Sequence, residues 1–160
     1  MVKNLKLGEI LIEAGYITEA QLSEALAYQK NSATKKMLGD ALLELGFITE
    51  EDKMQALSRR LNIQIVPAER LKSSIDAIAL VPRELAEREL FVPLCIEQDA
   101  LLVATDNPLN YYGLGDLEAE TGKKVVALLA AKNDVLEAID RNYANQSMFN
   151  TIHDAQREYS

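Results

Sequence analysis

The chain has 160 residues, 48% of them hydrophobic and 26% charged, with seven Gly, four Pro, one Cys and no Trp. That composition fills one core or two small ones and excludes the disordered and collagen-like classes. Lys+Arg 17 against Asp+Glu 25 leaves a formal net charge of -8, which argues against a general affinity for nucleic acid or anionic lipid, so any anionic ligand must find a local basic pocket. The single cysteine, Cys95, lies in the apolar run Leu90 to Ile96. No internal disulfide is possible, and a buried thiol in a reducing cytoplasm is the expectation. The N-terminus lacks a signal-peptide apolar core and no apolar run approaches bilayer length, so the expected location is cytoplasmic, with contact to an inner membrane only through a partner.

An internal repeat organises the first third. Leu7-Gly8-Glu9-Ile10-Leu11-Ile12-Glu13-Ala14-Gly15-Tyr16-Ile17-Thr18-Glu19 returns as Leu38-Gly39-Asp40-Ala41-Leu42-Leu43-Glu44-Leu45-Gly46-Phe47-Ile48-Thr49-Glu50, and Ala25-Leu26 returns as Ala56-Leu57. Each copy reads as a short helix stopped at Gly15 or Gly46, where a left-handed residue is needed, followed by a threonine cap and a second helix. Those second helices are expected over 19–30 and 50–61, with inward stripes of Leu22, Ala25 and Leu26 and of Met54, Ala56, Leu57 and Leu61. Thr18 with Gln21 predicts a capping box. In the second copy Asp52 replaces the longer Gln and Lys53 replaces Leu22, which predicts a weaker cap. Between the copies, 30–36 is a polar, basic surface loop.

After Leu61 the pattern changes. Ile63 to Pro67 reads as a short strand or extended connector, Ser74 to Leu80 as a helical turn, and Pro82 as the start of another helix. Leu90–Ile96 and Ala100–Thr105 form a predicted hairpin around Glu97-Gln98-Asp99. A helix from Asn110 to Thr121 closes on Gly122, a third strand follows over 124–130, and Asn133 is the expected cap of a last amphipathic helix. The expected fold is α+β, with a helical tandem-repeat subdomain at 1–62 and a small α/β subdomain at 63–144 carrying a mainly antiparallel three-stranded sheet. The polar tail at 145–160 is expected to be frayed or disordered.

Reactive constellations are missing from this pattern. The only histidine, His153, falls in the polar tail, far in sequence from Cys95, so nucleophilic triads and tetrahedral metal sites are not expected. Between Gly115 and Gly122-Lys123-Lys124 lie six residues rather than four, and no Ser or Thr follows Lys123, which excludes a phosphate-binding loop. A chain without an active site, metal or cofactor is the expectation.

The repeat, with Pro82-Arg83-Glu84-Leu85-Ala86, Ala104-Thr105-Asp106-Asn107-Pro108-Leu109 and Thr121-Gly122-Lys123-Lys124-Val125, resembles the N-terminal domain of type II secretion and type IV pilus assembly ATPases, known as GSPII_E N-terminal or MshEN, over about 5–144. The ATPase domains of that family are absent from this sequence. The resemblance implies a non-catalytic interaction or regulatory domain docking on a secretion or pilus assembly protein, an inner-membrane platform protein or the ATPase itself. It implies, as the alternative, a cyclic di-GMP receptor, because some members bind that dinucleotide through two copies of an Arg-Leu-Gly motif. In the first copy the matching residues are Lys6, Leu7, Gly8, Leu11, Gly15, Ile17, Leu22, Leu26 and Gln29, with lysine in the arginine position. In the second copy Leu38, Gly39, Leu42, Gly46, Ile48 and Leu57 match, while Met37, Lys53 and Arg60 depart from the arginine, leucine and glutamine of the pattern. Lysine keeps the charge but loses the planar stacking surface of a guanidinium. No contact with DNA, RNA or the bilayer interior is expected.

Overall fold

In the computed structural model each copy of the repeat folds as a helix pair, α1 (Leu7–Glu13) with α2 (Glu19–Asn31) and α3 (Leu38–Glu44) with α4 (Glu50–Leu61). The structure describes the backbone of 6–33 and 37–158 and the side chains of 6–33 and 37–146; Lys35, Lys36 and the side chain of His153 lie outside those residues. The chain divides into two units, Met1–Gln64 and Ile65–Ser160.

The glycine stops work as a matched pair. Gly15 and Gly46 hold φ of +83° and +75°, and the following amides, Tyr16 and Phe47, donate back to Leu11 and Leu42 at 3.0 and 3.1 Å. This closes the last turn of α1 and of α3 with a left-handed residue that a side chain would strain. At the next helix start, Thr18 and Gln21 form the expected capping box. The second copy corrects the expectation of a weaker cap: Asp52 Oδ2 accepts from the Thr49 amide and Thr49 Oγ1 from the Asp52 amide, both at 3.1 Å. A shorter carboxylate suffices because the N3 position already lies one turn above the cap.

In this first unit α1 packs on α3 and α4, and α2 packs on α3. Ile10, Leu11, Ile17, Ala25, Leu42, Ile48, Met54 and Leu57 are buried there. The expected stripe on α2 is corrected at Leu26, which is 47% exposed while Ala25 is fully buried; one residue is a turn of about 100° around the helix, so the small residue takes the core side and the large one faces solvent.

The second unit begins with an extended segment in which Ile65 bridges Leu129. Next come α5 (Ile75–Leu80), capped by Ser74, and α6 (Arg83–Glu89), for which Pro82 is the cap rather than the first helical residue. Strand β1 (Val92–Glu97) pairs antiparallel with β2 (Ala100–Thr105), and the register shifts by a bulge between Pro93 and Cys95. Proline fits there because a bulge relieves its missing donor. The hairpin tip is only Gln98-Asp99, with φ of +50° and +63°, the doubly left-handed turn that matches strand twist.

The expectation of a mainly antiparallel sheet is corrected by β3 (Lys124–Leu129), which lies parallel to β2 in the order β1-β2-β3, making the sheet mixed. The reason is α7 (Tyr111–Thr121) between them; a helical crossover returns the chain in the same direction, whereas a tight turn reverses it. Gly122, at φ +69°, ends α7 as expected. Helix α8 (Lys132–Glu158) starts one residue before Asn133, which is therefore not its cap, and runs on past the expected end near Ala144. No glycine or proline interrupts it. Leu71, Val81, Phe91, Val92, Leu101, Leu117, Ile139 and Tyr143 make the core of this unit.

Candidate functional site

Lys6 and Met37 occupy equivalent places, each the residue immediately before the first helix of its copy. Both are exposed, Met37 at 58%. On the helix that follows, Leu22 and Gln29 are half-buried and Leu26 is exposed, so with half-buried Leu7 the first copy presents a cation, aliphatic surface and an amide. Such a set suits a flat, partly anionic ligand or a protein surface.

Other residues of the motif serve the fold. Leu11, Ile17, Leu42, Ile48 and Leu57 are at most 5% exposed, which leaves their side chains to packing. Gly15 and Gly46 are exposed helix stops. Gly8 and Gly39 are buried beneath protein rather than open: a Cβ on Gly8 would lie 2.8 Å from Leu22 Cδ1, and one on Gly39 would lie 3.3 Å from Leu7 Cδ2 and 3.6 Å from Lys53 Cδ. Their lack of a side chain allows helix-to-helix approach.

The two copies are not equivalent. Lys53, in the place of Leu22, is only 5% exposed and lays its aliphatic stem towards Gly39, with Nζ 3.6 Å from Glu50 Oε1. Its long stem fills the apolar position while the ammonium keeps a carboxylate in range. Leu57 is 1% exposed, against 47% for Leu26. Half-buried Leu38 and exposed Arg60 remain accessible in this copy.

One feature of this unit lies outside the motif residues. A groove of about 330 Å³ runs along the α1–α4 seam, with Ile10, Ala14, Tyr16 and Ala56 against it and Glu13, Arg59 and Arg60 at its edge. The signal lies in the repeat: Ala14 and Arg59 stand where the other copy has Leu45 and Tyr28. Gly115 lies within α7 and Gly122 ends it, so the glycine pair is helical punctuation. Among the described residues no group of three or more His, Cys, Asp and Glu side chains could hold a metal ion, and no helix is long and apolar enough to cross a membrane.

Helix pairs in tandem followed by a mixed three-stranded α/β unit define a known class of domain. Residues 61–148 match the MshEN domain family. The chain is 32% identical over 141 residues to the type IV pilus assembly ATPase PilB of Myxococcus xanthus (strain DK1622), covering 88% of this chain and 25% of PilB; it spans about a quarter of that relative. It is similar to the structure of MshE with cdg (cyclic di-GMP), at TM-score 0.74 and 30% identity, covering 87% of this chain and 99% of that one. It shares its fold with the N-terminal domain of XpsE, at TM-score 0.68 and 17% identity, covering 84% and 92%. The chain belongs to the MshEN family, the N-terminal domain of type II secretion and type IV pilus assembly ATPases.

Proposed function

We propose that this chain is a non-catalytic interaction and regulatory domain of a type IV pilus or type II secretion machine, docking through its helical repeat on a protein of that machine. The inner-membrane platform protein and the assembly ATPase are the partners this reading favours, with the domain working in the cytoplasm beside the membrane. The observation that supports it is the inequality of the two copies: Leu26 is 47% and Leu57 1% exposed, and Lys53 is buried over Gly39. A two-fold symmetric dinucleotide draws equal contacts from a duplicated site only when both halves offer the same groups. Lys6 and Met37 also replace the two arginines of the ligand-binding pattern, each guanidinium contact being worth about 1.5–3 kcal/mol as a charge-assisted bond.

Cyclic di-GMP binding is the second reading, supported by the likeness to MshE with cdg and by the exposed Lys6 and Leu26 and half-buried Gln29 of the first copy. Calorimetric titration with cyclic di-GMP separates the two. Absence of saturation at micromolar ligand, together with direct binding to the purified cytoplasmic part of a platform protein, is the expected result. Micromolar binding abolished by Lys6→Ala would reverse the preference.

A further inference from the structure

The repeat relates two seams, α2 on α3 and α4 on α1, and they are finished differently. In the first, Tyr28 Oη donates to Glu44 Oε2 at 3.0 Å, and Leu45 is half-buried beside the helix end. In the second, Arg59 replaces Tyr28 and Ala14 replaces Leu45, so an aromatic ring and an isobutyl group are both lost. The groove of about 330 Å³ lies in this second seam.

The electrostatics of its edge are lopsided. Arg60 Nε is tied to Glu13 Oε2 at 3.4 Å, whereas exposed Arg59 makes no ion pair among the described residues. One guanidinium is thus available above an apolar floor of Ile10 and Ala56, in a chain of net charge -8. A ligand with two phosphates would gain one unpaired cation against a larger repulsion from Glu13 than a single carboxylate meets; one carboxylate on Arg59 with an apolar group beside it matches the guanidinium and the apolar lining.

We propose that the α1–α4 groove docks a short peptide segment of a partner protein, one that places a carboxylate on Arg59 and an adjacent apolar side chain over Ile10 and Ala56. This rests on the protein-docking reading above and assigns it a site. Tyr16 lines the groove as a wall for the apolar side chain, and the Arg60–Glu13 pair fixes the rim.

The test is an NMR titration of the whole chain with the peptide Ser-Leu-Glu-Phe-Ser and with its Gln counterpart. Saturable shifts of the Ile10, Ala14, Ala56 and Arg59 amides are expected. They should weaken at least tenfold with the Gln peptide, in Arg59→Glu, and in Arg59→Tyr, which restores the aromatic side chain of the other seam. Shifts elsewhere, no saturation, equal binding by Arg59→Glu, or cyclic di-GMP instead of the peptide moving these amides would each overturn the proposal. A second arm measures the purified cytoplasmic part of a platform protein against wild type and Arg59→Glu. Binding unchanged by Arg59→Glu refutes the groove and leaves the docking reading standing, while binding to neither platform protein nor peptide removes both.

Discussion

Asn110 Nδ2 donates to Glu89 Oε2 at 2.8 Å, and the two side chains meet above Gly113. Asn110 Oδ1 simultaneously accepts from the Gly113 amide at 3.1 Å, capping α7. A Cβ at Gly113 would lie 2.5 Å from both Asn110 Nδ2 and Glu89 Oε2. Gly113→Ala must therefore break this bridge and the cap, and about 1–3 kcal/mol of destabilisation is expected. Urea unfolding of Gly113→Ala beside Gly115→Ala checks it, since a Cβ at Gly115 meets nothing within 4 Å and should stabilise the helix.

Thr18 and Thr49 close equivalent capping boxes, so Thr18→Ala and Thr49→Ala should each cost about 1 kcal/mol. Thermal unfolding of the two variants should give losses within about 0.5 kcal/mol of each other. A much smaller loss for Thr49→Ala would mean that Asp52 does not complete the second box.

Tyr143 Oη donates to the Val81 carbonyl at 2.6 Å in the core of the second unit. Burial raises the pKa of this phenol above its ordinary value, with a smaller opposing effect from Arg83 and a raising one from Glu87. The folded state therefore favours the neutral form. Its stability contribution is complete below the unfolded value near about 10 and is lost as pH rises from there through the higher folded value. Tyr143→Phe should cost about 1–2 kcal/mol at neutral pH and should lose less stability than wild type between about pH 10 and 11. Denaturant midpoints at both ends of that range measure the difference.

Burial, with the Glu97 carboxylate adding to it, pushes the Cys95 thiol up. Since the thiolate is the reactive form, iodoacetamide should modify Cys95 several-fold more slowly at about pH 8 than it modifies a free cysteine peptide. Glu97→Gln should narrow that gap without closing it.

Restoring both guanidiniums provides the sharpest comparison for the dinucleotide. Lys6→Arg with Met37→Arg should raise cyclic di-GMP affinity at least tenfold over wild type, about 1.4 kcal/mol, if the remaining pattern still forms the face. Calorimetry on the double variant reads this directly, and no gain would locate the loss in the buried Lys53 instead.

The helix pairs, the glycine stops and the hairpin were legible because each has a local cause: apolar period, a left-handed position, a two-residue turn. Parallel β3 was not, because the run Lys124–Leu129 carries no mark of direction and the crossover α7 decides it. The same limit hid the candidate site. Leu26 and Leu57 occupy one motif position, yet their exposures are opposite because neighbouring helices, rather than their own, cover or uncover them. By type Lys53 departs from the leucine of the pattern, and only the packing over Gly39 makes its stem an apolar filler. The groove arises from differences between the copies across a seam, Tyr28 against Arg59 and Leu45 against Ala14, and neither copy carries that signal by itself.

Gln98 and Asp99 turn the hairpin without a glycine, both in a conformation that costs L-residues about 1 kcal/mol or more apiece. Exchanging them for Asn-Gly would relieve that expense at the sacrifice of one exposed partner for Lys123. The β-turn is thus a reserve of thermal robustness left undrawn, and an engineer could raise the melting point there while leaving every residue of the repeat untouched.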